Sequence, residues 1–154
     1  MAILQSEFTA QRGTKYEGQI QRATSNTIDS GTTASELGYG KAAVNLNGKV
    51  VPFLGSDNLF FEGVAVRQFG SKASSNEAYA PGDTADIIFR GRVAIKTGSY
   101  VTRGNKVSIN PNGTFGMDTT ADNFIIAGAY YMETAEAGTI VDIELNGKSF
   151  MEAV

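Results

Sequence analysis

Apolar positions along this chain fall in short runs separated by clusters of Gly, Asn, Asp and Pro. Ala43-Val44-Asn45-Leu46 and Val50-Val51 flank Asn47-Gly48, a pair suited to the positive φ values of a type I′ hairpin turn. Leu59 to Val66 is a mostly apolar run fit for a buried strand. Ala85-Asp86-Ile87-Ile88-Phe89 leads through Arg90-Gly91 into Arg92-Val93-Ala94-Ile95, and Tyr100-Val101 and Lys106-Val107-Ser108-Ile109 follow. Asn110-Pro111-Asn112-Gly113 makes a turn, because Pro and Gly preset its dihedrals. Phe124 to Tyr131 and Thr139 to Leu145 make the last two strong strands, and Asn146 to Phe150 closes as a turn and short tail. Capping residues between Asp29 and Gly38 predict a single helical turn ended by the glycine. Nowhere else does a helical period hold. Strands about 8–12 residues apart with Gly/Asn turns predict an all-β fold, a small antiparallel β-barrel or sandwich.

A two-part pattern occurs twice. Asp57-Asn58-Leu59-Phe60-Phe61-Glu62-Gly63-Val64-Ala65 reads against Asp122-Asn123-Phe124-Ile125-Ile126-Ala127-Gly128-Ala129-Tyr130, with Gly63 opposite Gly128. Pro81-Gly82-Asp83 through Gly91 then reads against Ala137-Gly138-Thr139 through Gly147. The offset falls from 65 (122 − 57) to 56 (138 − 82), so the earlier copy carries nine extra residues around Ser71 to Ala80. Such an excess belongs in a surface loop, where added length costs little. Two copies are too few for a solenoid and suit two similar hairpin units sharing one body.

Residues 1–30 differ from the rest. Their apolar residues are widely spaced, without a sustained period, and read as an extended N-terminal arm on a β body of residues 31–154. Phe8, Tyr16 and Ile20 are its large side chains and candidate anchors on a neighbouring surface.

Composition narrows the chemistry by what is missing. The chain has no Cys, no His and no Trp. Disulfides, thiolate metal sites, Ser-His-Asp triads and HExxH sites are therefore excluded. Gly38-Tyr39-Gly40-Lys41 lacks phosphate-loop spacing. Asp83 with Asp86, and Asp118 with Asp122, do not match a calcium loop. The expectation is no enzyme, no cofactor and no metal. A net charge of −3 disfavours direct nucleic-acid binding, and no apolar run is long enough to span a membrane as a helix. The first residues lack the basic-then-apolar order of a signal peptide, so synthesis in a cytoplasm is expected.

Charge is segregated along the sequence. Ile87 to Met117 holds Arg90, Arg92, Lys96, Arg103 and Lys106 with no acid, whereas Asp118 to Val154 holds seven acids and only Lys148 as a base. These stretches either pair across one sheet or form complementary patches on different subunits. In the second case Arg90, Arg92 and Arg103 are the candidate subunit-interface residues.

The order of these segments resembles the bacteriophage head-decoration, or structural cement, proteins. The resemblance runs from about Gly18 to Leu145. It rests on Gly18-Gln19-Ile20, Ile28-Asp29-Ser30, Gly38 to Val44, the segment Phe61-Glu62-Gly63-Val64-Ala65-Val66-Arg67, Pro81-Gly82-Asp83, Gly91 to Ile95, Arg103 to Val107 and Ile143-Glu144-Leu145. It implies a virion protein on the outside of the phage head that forms homotrimers, sits on the major capsid protein at local three-fold positions and stabilises the shell. The alternative is a carbohydrate- or receptor-binding β module, in which exposed Tyr39, Tyr79, Tyr100, Tyr130 and Tyr131 stack on sugars.

Overall fold

The computed structural model describes residues 15–21, 25–55, 59–68 and 77–154. They hold thirteen strands and no helix. β1 (Thr27–Thr32), β2 (Leu37–Gly38), β3 (Ala42–Leu46), β4 (Lys49–Pro52), β5 (Phe60–Ala65) and β6 (Ala78–Tyr79) precede the long β7 (Thr84–Lys96). β8 (Lys106–Ile109), β9 (Phe115–Met117), β10 (Phe124–Tyr131), β11 (Ile140–Asn146), β12 (Ser149–Phe150) and β13 (Glu152–Ala153) follow. The main sheet runs β4-β3-β5-β7-β11-β10-β8-β9, with β1 on β7, β12 on β5 and β13 on β10. All its named pairings are antiparallel.

The fold is all-β, but among the described residues the sheet does not close into a barrel. Each end of the path returns by a parallel bridge rather than a ladder, Val50 of β4 to Thr33 and Phe115 of β9 to Thr97. The expected helical turn between Asp29 and Gly38 does not form. Asp29 to Thr32 belong to β1, and Leu37 is buried and paired with Tyr79. Burial of Leu37 against a strand about forty residues away overrides the local capping signal.

The duplication reaches further than the two sequence segments. β1 stands to the first half of β7 as the second half of β7 stands to β11, for Thr32 faces Thr84 and Lys96 faces Ile140. Thr33 and Thr97, 64 residues apart (97 − 33), then make the same bonds. Thr33 N–H donates to the Asp83 carbonyl at 2.9 Å and Thr97 N–H to the Thr139 carbonyl at 3.0 Å. Their hydroxyls donate to the carbonyls of Ala80 and Glu136 at 2.7 and 3.1 Å. Val44 faces Val51 in the β3–β4 hairpin as Ser108 faces Gly116 in β8–β9. Unit 1 is thus β1, β3, β4, β5 and the first half of β7; unit 2 is the second half of β7 with β8, β9, β10 and β11. β7 belongs to both.

The offset of 56 in the second part of the repeat survives in the pairing, but the first part is finer than the sequence alignment. Val44 faces Phe61 and Ser108 faces Ile125, an offset of 64 before the glycine. Val64 faces Ile88 and Tyr130 faces Glu144, an offset of 66 after it. Two extra residues in β10 are absorbed around Gly128, where its register to β8 shifts between Ile125 and Tyr130. In the excess segment of unit 1, Ser71 to Asn76 lie outside the described residues, and Tyr79 is no loop residue: it belongs to β6, is buried, and its hydroxyl donates to the Val66 carbonyl at 2.6 Å.

Two cores result. The larger includes Val44, Phe61, Val64 and Ile88 of unit 1 with Val107, Ile126, Tyr131, Val141 and Ile143 of unit 2. The smaller, made of Leu37, Tyr39, Ala43, Val50, Ala65, Tyr79, Ala85 and Ile87, fills unit 1 behind its sheet. The central strands of the unit 1 sheet, β3, β5 and the first half of β7, therefore bury residues on both faces, as their apolar runs require.

Candidate functional site

Equivalent rows of side chains differ sharply between the units. Across unit 1, Ala42, Val64, Ile88 and Ile28 stand in register, and all but Ile28 are buried. The matching row of unit 2 is Lys106, Tyr130, Glu144 and Arg92. Side chains in register on paired strands share a face, so unit 2 turns a charged row outward where unit 1 packs an apolar one inward. Tyr130 at its centre is 37% exposed. Arg92 reaches its cross-strand neighbour, Nε to Glu144 Oε1 at 3.4 Å. Arg90 and Lys96 lie on the same face of β7, opposite Asn146 and Ile140. Among the described residues no acid pairs with Arg90, Lys96, Arg103 or Lys106 within 4 Å.

Among the described residues the cross-strand reading of the segregated charges is therefore realised at one point, Arg92–Glu144, and four of the five basic side chains of that stretch meet no acid. The structure brings Arg90 and Arg92 together on one face. Arg103 sits apart, exposed on the loop before β8, with its N–H donating to Thr134 Oγ1 at 3.0 Å.

Phe8 lies outside the described residues. Residues 15–21 run along β7 on the side that β1 occupies farther up. Gly18 N–H donates to the Ala94 carbonyl at 2.8 Å, Ala94 N–H to the Gln19 carbonyl at 2.9 Å, and Gln21 N–H to the Arg92 carbonyl at 2.9 Å. Ile20 bridges to Val93 and packs against the larger core, so its side chain already has a partner in its own chain. Tyr16 is 53% exposed, with the Arg67 guanidinium 5.3 Å from its ring centre. That guanidinium also lies 5.2 Å from the Tyr39 ring and pairs with Glu77 at 3.1 Å.

Sequence reading missed Lys15 and Lys148. Lys15 bonds Glu133 and lies 3.5 Å from Asp142. Partial burial works against its charge, but the hydrogen bond to Glu133 and the nearby Asp142 and Glu133 charges together raise its pKa. Lys148 joins Asp29 at 2.7 Å and Glu62 at 3.1 Å beneath the Phe89 ring. Its hydrogen bond holds the Asp29 carboxyl below the ordinary range, helped by the Ser30 N–H. Each is one base among distant acids, and no local motif announces such a pairing.

The sugar-stacking alternative loses most of its platform. Of its five rings Tyr39, Tyr79 and Tyr131 are buried, and Tyr100 and Tyr130 remain at the surface. The Tyr131 hydroxyl donates to the Gly116 carbonyl at 2.7 Å, and burial raises the pKa of Tyr79 to about 12. Tyr79 and Tyr131 are core side chains with a satisfied polar tip.

The sequence profile of a family described as Structural cement protein (E217 gp24/Pam3 gp6) matches residues 3–146. The chain belongs to the phage structural cement proteins. It is accordingly a structural component of the virion head. A chain of the capsid of Myoviridae phage XM1 shares the fold at a TM-score of 0.73 and 13% identity, over 85% of this chain and 89% of that one. The head fibre gp8.5 N base of bacteriophage phi29 aligns at a TM-score of 0.49 and 14% identity, over 81% of this chain and 98% of that one. Comparison with curated proteins gave no match.

Proposed function

We propose that this cement protein binds the outside of the assembled icosahedral head through the major capsid protein, as a homotrimer at local three-fold positions, and stabilises the shell. The observation that carries the reading, beside family membership, is the charged outer row of unit 2 standing where unit 1 is apolar and buried. A trimer closes a ring of heterologous contacts, so a basic patch on one subunit meets a different, acidic patch on the next. Arg90 and Arg92 on β7, with Lys96 and Lys106, supply the basic side, and Arg103 extends it along the loop before β8. Asp118, Asp122, Glu136 and Glu152 pair with no base among the described residues and supply the acidic side.

The N-terminal arm reaches the capsid, with Phe8 and Tyr16 as anchors, while Ile20 and β1 fix its root to the body. Single contacts of this size are weak, and three per trimer multiply their hold. Sedimentation velocity tests the ring. The protein recovered from heads sediments as a trimer, and reversing charge at Arg90 and Arg92 together weakens it, more at low salt than at high salt. Only monomer, both free and recovered from heads, would overturn the trimer.

A further inference from the structure

β5 and β10 hold equivalent places in the two units, and each outruns the strand beside it. β7 pairs with Val64 and Ala65 of β5, and β11 with Tyr130 and Tyr131 of β10. The first halves, Phe60–Phe61 and Phe124–Ile125, lie against β3 and β8 on one side, as Phe61 faces Val44 and Ile125 faces Ser108. Their other edge is reached by neither β7 nor β11. Unpaired backbone along a buried strand is costly, and an open edge invites another strand.

Residues 149–154 fill both edges. Ser149 and Phe150 pair with Phe61 and Phe60, and Glu152 and Ala153 pair with Ile125 and Phe124. The next bond repeats as well: Met151 N–H donates to the Leu59 carbonyl at 2.8 Å, and Val154 N–H to the Asn123 carbonyl at 3.0 Å. Leu59 and Asn123 are 64 residues apart (123 − 59), the spacing of Thr33 and Thr97. Three residues of the segment thus serve unit 1, and the next three serve unit 2 in the same way. Only Met151 is buried; Phe150 stacks edge-on against Phe60, centroids 5.0 Å apart, yet is 70% exposed. Backbone pairing plus one apolar anchor is the chemistry of strand addition.

We propose that β5 and β10 form a tandem strand-acceptor site for an extended six-residue segment, filled by residues 149–154 of this chain, which clamps the two units together. Gly147, at φ 127°, turns the chain into the site, and Lys148 pins the entry through Asp29 and Glu62. The proposal is independent of head binding. The test uses the chain ended after Lys148 and a synthetic peptide Ser149-Phe150-Met151-Glu152-Ala153-Val154 added in trans. Relative to the full chain, the amides of Phe61 and Ile125, opposite Ser149 and Glu152, should exchange at least about tenfold faster. The peptide should slow both together, and a peptide of reversed order should slow neither. Unchanged exchange in the shortened chain, or rescue of one edge alone, would overturn the proposal. Should the shortened chain not fold, Met151→Pro in the full chain provides the same reading, because it removes a donor midway along the segment. Faster exchange at both Phe61 and Ile125 supports the clamp; an effect confined to Phe61, or none, overturns it.

Discussion

At Gly63 the backbone takes φ 138°, and a Cβ there would run into the Ile88 carbonyl and the Ile87 side chain. At Gly48, φ is 83° and nothing lies within 4 Å of the place a Cβ would occupy. Gly63→Ala should therefore cost about 3 kcal/mol or more, strain and clash together, while Gly48→Ala costs about 1–2 kcal/mol from the left-handed backbone alone. Urea unfolding of the two variants checks the order; equal losses would mean that β5 and β7 can separate at Gly63. Asn47-Gly48 was legible in the sequence because its cause is local, two residues that both tolerate positive φ. Tyr79 was not legible. Its hydroxyl finds Val66 across the excess segment and its ring packs edge-on against Tyr39 at 5.3 Å, and nothing beside it in sequence announces either partner.

At the element scale, the root of the arm is part of the body. Residues 15–21 exchange three backbone bonds with Arg92 and Ala94, and Arg67 N–H donates to the Gly18 carbonyl at 2.8 Å. Removing residues 1–14 should leave the melting temperature within a few degrees, whereas removing 1–21 should lower it by about 10 °C, at roughly 1 kcal/mol for each of these bonds plus the loss of Ile20 packing. Equal melting curves for the two truncations would show that the root adds nothing. The strong strands were readable because each carries its own apolar run. β1 was not: Thr27-Ile28-Asp29-Ser30-Gly31-Thr32 is mostly polar and exposed, and it is a strand because β7 offers it an edge. The hairpin units were visible through Gly63 and Gly128. The wider duplication was hidden because β1 and the second half of β7 share a role without sharing a sequence pattern.

For the whole molecule, the segregation of charge legible in the sequence becomes a distribution in space. Unit 1 encloses apolar residues on both faces of its sheet, and unit 2 shows the row of Lys106, Tyr130, Glu144 and Arg92 to its surroundings. Sequence order could not reveal which of the five basic residues would be neutralised within the chain, because only the register of β11 on β7 sets Glu144 beside Arg92. On the proposed function, many identical weak contacts add up over the shell, so the effect is to be read on heads rather than on the isolated subunit. The most direct measurement is the disruption temperature of purified heads lacking this protein, with and without added protein. Saturable binding that raises that temperature is the predicted result. Heads that neither retain the protein on sedimentation nor gain thermal resistance would contradict it.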